Sequence, residues 1–310
     1  MSRRCGLSII VVSYETRQAV VECIRSLFAE EADMKGEVVV VDNASSDGSA
    51  DDVADEFPNV RLIRSSRNLG FAAGNNLAAQ HASGEWLLLL NPDTLVLVGA
   101  IHKLVAFAER HPEVAIFGGR TLFADGSLNP TSCHGRPTPW SAFCIAIGLS
   151  SLLRGSRWFD PESLGKWARD SVREVDCVTG CFLLIRRSLW EQLGGFDESF
   201  FMYGEETDLC LRARKLGYKC MICPDATIIH YGSASERVRA DKMVRLFKAK
   251  VLLFKKHWAP RWVGFGIWTL KAWALTRMVA FWLLLRCGKN CRASFDAWRE
   301  VFWRRAEYSV

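Results

Sequence analysis

Short unbroken apolar runs alternate with stretches whose apolar positions recur every three or four residues, and this alternation organises the first third of the chain. Leu7–Ser13, Glu37–Val41, Val60–Arg64, Glu85–Leu90 and Val114–Phe117 have strand composition. Between them, Thr16–Glu30 carries Ala19, Val20, Cys23, Ile24, Leu27 and Phe28 on one helical face, and Ser46-Asp47-Gly48 opens a second helix. Phe71–Ala82 and Gly99–Arg110 read as two more helices. Strands apolar along their whole length, separated by helices, predict an α/β fold with a doubly wound, mostly parallel sheet covered on both faces. No Gly-x-Gly-x-x-Gly follows the first strand, so a dinucleotide fold of the usual kind is not expected.

The pattern weakens over residues 125–175, where Gly, Pro and Ser cluster around the apolar patch Phe143–Leu153. This stretch reads as a mobile loop or short helix. Regularity returns with a strand in Val175–Arg187, helices near Ser188–Leu193 and Glu205–Leu216, and strand-like Cys220–Ile222 and Thr227–His230. A long basic helix over 236–257 and amphipathic helix from Arg261 onward complete the reading. The expected domains are one over 1–240, in two halves (1–125 and 126–240), and a helical appendage over 241–310.

Charge changes this picture at one end only. Residues 261–310 hold nine Lys/Arg against three acids, which is the chain's whole net charge of +6, and six of its 12 tryptophans. A basic, Trp-rich helical tail on a neutral body suits an anionic membrane surface, and its apolar content argues against nucleic acid. Lys271 and Arg277 interrupt Trp262–Leu285, so an in-plane helix fits better than a span. Packing on the 1–240 domain, or on a second subunit as a homodimer, is the other reading of the same tail. Residues 1–6 lead straight into the first strand with no secretory leader, and the 11 cysteines form an odd, scattered set. Both point to the cytoplasmic side of a membrane. Cys220-Met221-Ile222-Cys223 has zinc-ligand spacing, but no second such pair exists, so buried structural thiols are expected there.

Candidate chemistry sits where the strands end. Ser13-Tyr14-Glu15 follows the first, Asp42-Asn43 the second, Arg67-Asn68 the third and Asn91-Pro92-Asp93 the fourth. A parallel sheet gathers these along its carboxyl edge, where open α/β folds bind ligands. Asp93 there can hold a hard divalent metal against a diphosphate, or Asn-Pro-Asp can be only a turn.

The same residues carry a resemblance. Ser8–Tyr14, Val39–Gly48, Asn68–Asn76, Asn91–Thr94, Thr179–Arg187 and Gly194–Arg212 resemble, in order, the motifs of family 2 glycosyltransferases, most closely the rhamnosyltransferase-like branch. The resemblance covers about residues 7–235. It implies a GT-A fold and a nucleotide-diphosphate-sugar donor. Ser13, Tyr14 and Glu15 would line the base pocket and Asp42 would meet the nucleoside. Asn43, Asn68, Gly70, Phe71, Asn75, Asn91, Thr179 and Gly180 fall in the donor-side motifs. Asp93 would ligate Mg²⁺ or Mn²⁺, although Asn91 stands where many relatives have a first aspartate. His230 matches a histidine that joins the metal, its other reading being a buried hydrogen-bonded residue. Glu206 falls on the catalytic-base position, where the family usually has Asp, and Asp197 would lie near the acceptor. The resemblance thus implies a metal-dependent, inverting transfer, with rhamnose from dTDP as the expected donor and a lipid-linked or growing surface glycan as acceptor. The rivals are a UDP-linked donor and a catalytically inactive, sugar-nucleotide-binding scaffold.

Overall fold

The computed structural model describes residues 6–30, 36–232 and 240–309. In chain order the elements are β1 (Leu7–Ser13), α1 (Arg17–Glu30), β2 (Gly36–Asp42), α2 (Ser49–Glu56), β3 (Arg61–Arg64), α3 (Gly70–His81), β4 (Trp86–Leu90), β5 (Thr94–Val96), α4 (Ala100–Arg110), β6 (Ile116–Leu122) and β7 (Cys133–His134). There follow α5 (Pro139–Ala146), α6 (Leu149–Leu152), β8 (Arg173–Val175), β9 (Cys177–Val178), β10 (Phe182–Arg186), α7 (Arg187–Leu193), α8 (Glu205–Lys215), β11 (Cys220–His230), α9 (Ala240–His257), α10 (Pro260–Arg286) and α11 (Arg292–Trp303).

The chain divides into two compact units. The first holds the residues up to His134, then Ala168–Phe201 and Glu205 to the end of β11. Its main sheet runs β3-β2-β1-β4-β10-β6-β11-β5, with β8 also paired to β11. β3, β2, β1 and β4 are parallel. Every residue of β1 and β4 is buried, which is why both read as unbroken apolar runs. α1 buries Val20, Cys23, Ile24 and Leu27, one helical stripe, in the core shared with Ile9, Val11, Val38 and Val40.

Beyond β4 the sheet is mixed. β10 is antiparallel to both β4 and β6, and β11 is parallel to β6 but antiparallel to β5 and β8. The two strand-like pieces expected at Cys220–Ile222 and Thr227–His230 are one strand with a register shift between Cys223 and Thr227, where Pro224 stands. β5 has no counterpart in the sequence pattern: three residues are too few for a periodic signal, and the strand exists because it pairs with β11. Cys220 and Cys223 are both buried free thiols.

The second unit joins Gly135–Trp167 and Met202–Gly204 to the helices from α9 onward. The segment 125–175, expected to be irregular, supplies α5 and α6. Thr138 and Ser141 form a capping box at the start of α5, with Pro139 in its first turn. Of the basic helix expected over 236–257, residues 236–239 lie outside the described ones and the remainder is α9. Val244, Phe247, Val251 and Phe254 of α9 form one core with Leu270 and Ala274 of α10, Trp298 and Val301 of α11, and Tyr308. Phe247 is its centre, with ring centroids 5.2 Å from Trp273 and 5.0 Å from Tyr308. Among the described residues no helix is long and apolar enough to cross a membrane.

Truncating Phe247 removes the ring on which three helices meet. Phe247→Ala should cost about 3–5 kcal/mol, the usual loss for a fully buried aromatic. The measurement is urea denaturation followed by tryptophan fluorescence, since Trp273 and Trp298 both lie against this ring.

Candidate active site

At the carboxyl edge of the parallel strands, most donor-side residues found in the sequence hold the loops in place, and two carry groups left for a ligand. Asn43 Oδ1 accepts from Leu69 N at 2.8 Å, and its Nδ2 donates to Asn68 Oδ1 and to Gly70 O, each at 3.1 Å. Asn68 Oδ1 also accepts from Gly70 N at 2.9 Å, and Asn75 Nδ2 donates to Phe71 O at 2.8 Å. These amides fix the start of α3 through backbone groups that would otherwise be orphaned. Gly70 has φ +82°, and a Cβ there would fall 2.3 Å from Phe201 O. Only glycine permits that approach, which the Phe71 N to Phe201 O bond of 2.8 Å then holds. Glu15 Oε1 accepts from Ser46 N at 2.8 Å and so tethers the loop after β2. Ser13 Oγ bonds Thr16 Oγ1 at 2.8 Å.

Asp42 and Tyr14 differ from these. Asp42 Oδ2 accepts from Ser45 N at 3.2 Å, while its Oδ1 is buried with no hydrogen-bond partner among the described residues. Such an atom is costly unless a ligand donor meets it. The Tyr14 ring, on the loop that follows β1, is half-exposed.

The second cluster is made by strand pairing. After β4 the chain turns through Asn91-Pro92-Asp93 into β5, which lies antiparallel on the end of β11 with Thr94 opposite His230. Tyr231 N donates to Asp93 O at 2.9 Å, and His230 Nε2 lies 3.1 Å from Asp93 Oδ1. Asn91 Nδ2 is 3.3 Å from the same His230 nitrogen. Burial opposes a charge on His230, but hydrogen bonds to Asp93 and to Cys181, with their charges, raise its pKa to about 10. Asp93 therefore draws a cation to this spot. Asn91 Oδ1 and His230 Nδ1 are buried without partners among the described residues.

Among the described residues no three His, Cys, Asp or Glu converge on a metal-sized point. Asp93 nevertheless fits a hard divalent ion that takes its remaining ligands from diphosphate oxygens and water, and His230 would join it only as the neutral imidazole, having given up the proton it holds toward Asp93. Thr179, next along the edge, braces the loop: its Oγ1 donates to Ser132 O at 3.1 Å and lies 3.2 Å from Cys181 Sγ. Gly180 lies against Phe71, whose ring would be 3.1 Å from an added Cβ.

The third cluster opens α8, which packs on β9, the strand just before Thr179. Glu205 is almost fully buried. Burial, then the charge of Glu206 and a hydrogen bond with it, push the Glu205 pKa well above the usual carboxylate range. The two carboxyls thus titrate as a pair in which the buried Glu205 resists ionisation. Asp208 is fully buried and pairs with Arg212 at 2.6 Å. Arg212 also donates to Leu193 O at 2.8 Å and Gly195 O at 2.9 Å, locking the Gly194-Gly195-Phe196-Asp197 turn to α8. Asn76 clamps the same turn from α3, donating to Phe196 O and accepting from Phe196 N, each at 2.9 Å. Asp197 Oδ1 accepts from Ser199 N at 2.8 Å and Ser199 Oγ at 2.6 Å, which makes it a residue of its own turn.

Arg212, Asn76 and Cys181 do not stand out in the sequence. The i, i+4 spacing of Asp208 and Arg212 is visible there, but the carbonyls and the histidine these side chains reach belong to distant segments.

Residues 8–193 match the sequence profile of Glycosyl transferase family 2. The chain belongs to that family. It is similar to an N-acetylglucosaminyl-diphospho-decaprenol L-rhamnosyltransferase of Mycobacterium tuberculosis, 31% identical over 250 residues covering 76% of this chain and 79% of the relative. It is also similar to the rhamnosyltransferase WbbL of Escherichia coli, 26% identical over 246 residues covering 76% of this chain and 88% of that one. Among solved structures, the mannosyltransferase PcManGT of Pyrobaculum calidifontis, in complex with GDP-Man and Mn²⁺, shares the fold: TM-score 0.59, 21% identity, 99% of this chain and 86% of that chain. The protein is thus a glycosyltransferase of GT-A fold with a C-terminal helical region.

The raised Glu205 pKa has a consequence for the stability of this glycosyltransferase. Below about pH 4 the carboxyl is protonated folded or unfolded and costs nothing. As pH rises past that value the unfolded chain ionises while the fold retains the proton, so stability falls. Glu205→Gln removes the cost: it should melt higher than the parent at pH 7 and indistinguishably near pH 4, measured by differential scanning calorimetry at both.

Proposed function

We propose that this glycosyltransferase moves a deoxyhexose, rhamnose from dTDP-rhamnose, onto a lipid-linked or growing surface glycan, by metal-dependent displacement with inversion. The Asp93–His230 pair, together with Glu206 beside the buried Glu205, carries the reading, because it supplies a cation site and a proton acceptor. The two rhamnosyltransferase relatives support the donor sugar, and the decaprenol-linked substrate named for one of them supports a lipid-linked acceptor.

Asp42 Oδ1 accepts from the nucleoside, and the Tyr14 ring offers a stacking face for the base. Asp93, with His230 as neutral imidazole, would hold Mg²⁺ or Mn²⁺, which would supply positive charge against the diphosphate leaving group. Asn91 and Thr179 line the approach to that pair. Glu206 accepts the proton of the acceptor hydroxyl as the oxygen attacks the anomeric carbon from the side opposite the diphosphate. Glu205 keeps its own proton and donates it in a hydrogen bond to Glu206, which holds the Glu206 carboxylate in place as acceptor. Asp197, with Arg212 and Asn76, shapes the loop that leads into α8. The basic, Trp-rich helices bring the enzyme to the anionic cytoplasmic face of a membrane, where a lipid-linked acceptor lies.

Asp93→Ala should abolish metal-dependent nucleotide-sugar binding while the fold persists. Isothermal titration with dTDP-rhamnose, with and without Mn²⁺, measures it; unchanged metal-dependent heat would remove Asp93 from the site, and binding of UDP-sugars alone would change the donor.

Glu206→Gln should preserve donor affinity and lower turnover about 10²–10⁴-fold, since the amide keeps the shape but cannot take a proton. Near-parental turnover in a coupled nucleotide-release assay would shift the role to a neighbouring carboxylate.

A further inference from the structure

The second unit has an apolar face that its own residues leave exposed. α10 buries Gly266, Thr269, Leu270 and Ala274 within the unit. On the opposite side Trp268, Leu275, Val279, Trp282 and Leu283 are all exposed. Their spacing of seven, four, three and one residues puts them on one stripe, ended by Arg286.

The stripe does not stop at the helix. Trp268 stacks on Phe143 of α5 with ring centroids 6.5 Å apart, and Phe143 stacks on Trp140 at 5.8 Å. Trp140 Nε1 donates to Trp158 O at 2.6 Å. Thr276 Oγ1 donates to Ala146 O at 2.7 Å, and Arg277 Nη2 to Ser151 Oγ at 2.8 Å, so α10 and the α5–α6 segment are tied together. That segment then presents Leu152, 79% exposed, and Trp158, 67% exposed. Large apolar side chains exposed on two segments tied together in this way mark an interaction surface.

Charge decides its occupant. Residues 136–159 and 259–295 together hold nine Lys/Arg and no Asp or Glu. Arg157 lies over the Trp158 ring at 5.3 Å and Arg286 over Trp282 at 5.0 Å. Indole rings edged by guanidinium groups suit the headgroup layer, where the ring sits at the interface and the cation meets lipid phosphate. A second copy docked through the same face would set like charges against like.

We propose that α5, α6 and the exposed stripe of α10 form one platform lying in the headgroup layer of an anionic bilayer, with Leu152 and Trp158 as inserting residues outside the C-terminal helices. This deepens the membrane association proposed above and rests on it. It also means that deleting residues 261–310 would strip the unit of core residues Leu270, Trp298 and Val301, so point changes are the cleaner probe.

The test uses the full chain sedimented with phosphatidylcholine vesicles, with and without phosphatidylglycerol. The parent should bind the anionic vesicles and be released only in part by high salt, because apolar side chains remain inserted. The double variant Leu152→Ser, Trp158→Ser should bind at least about tenfold more weakly, since both inserting apolar side chains are lost. Leu216→Ser, an exposed leucine of the first unit, should leave binding unchanged, and all three proteins should melt alike. A parent that binds no vesicles overturns the membrane reading itself. A parent that binds, with the double variant binding equally well, overturns the platform alone. A dimer in light scattering that the double variant dissociates, without vesicle binding by the parent, assigns the face to a second copy.

Discussion

A strand covered on both faces cannot carry charge along its length, because each ion would have to leave water without a partner. β1 and β4 obey this completely, being buried at every position. Polar chemistry is thereby confined to the strand ends. Ser13 and Asp42 are register partners across β1 and β2, and Asn91 and Asp93 follow the end of β4, itself paired with β1. The donor side of the enzyme is the place where this apolar core has to stop.

The second half of the sheet supplies what the parallel half lacks. β10 runs antiparallel between β4 and β6, and β11 returns to lay its last residue opposite Thr94. That pairing sets a histidine against Asp93, at 3.1 Å. The proposed proton acceptor rests on a different constraint. Two adjacent glutamates at a helix start, one of them almost fully buried, cannot both ionise cheaply, so one retains a proton. Environment rather than residue type separates their roles.

The helical unit is apolar twice over. One side of α10 fills a core with α9 and α11, and the other side is exposed with a basic surround. Leu and Trp stand on both sides, so residue type does not tell them apart. The packing of Trp273 and Trp298 against Phe247 does.

The strand–helix alternation, the carboxyl-edge cluster and the basic helical region were legible in the sequence, and Asp42, Asp93 and Glu206 stood out there as candidates, because each depends on local periodicity or on a motif of a few residues. The bracing role of Asn43, Asn68 and Asn75 was not, since an amide that binds backbone is spelled the same way as one that binds ligand. β5 was too short to show. Asn91 and His230 are 139 residues apart and Asn76 and Phe196 are 120 apart. No periodicity spans such distances. The sequence by itself determined the longer strands and helices and where charge is allowed. Only the tertiary structure decided which strand end faces which, which glutamate is buried, and that residues 139–158 pack beside α10, because those outcomes rest on burial and on contacts between segments far apart in the chain.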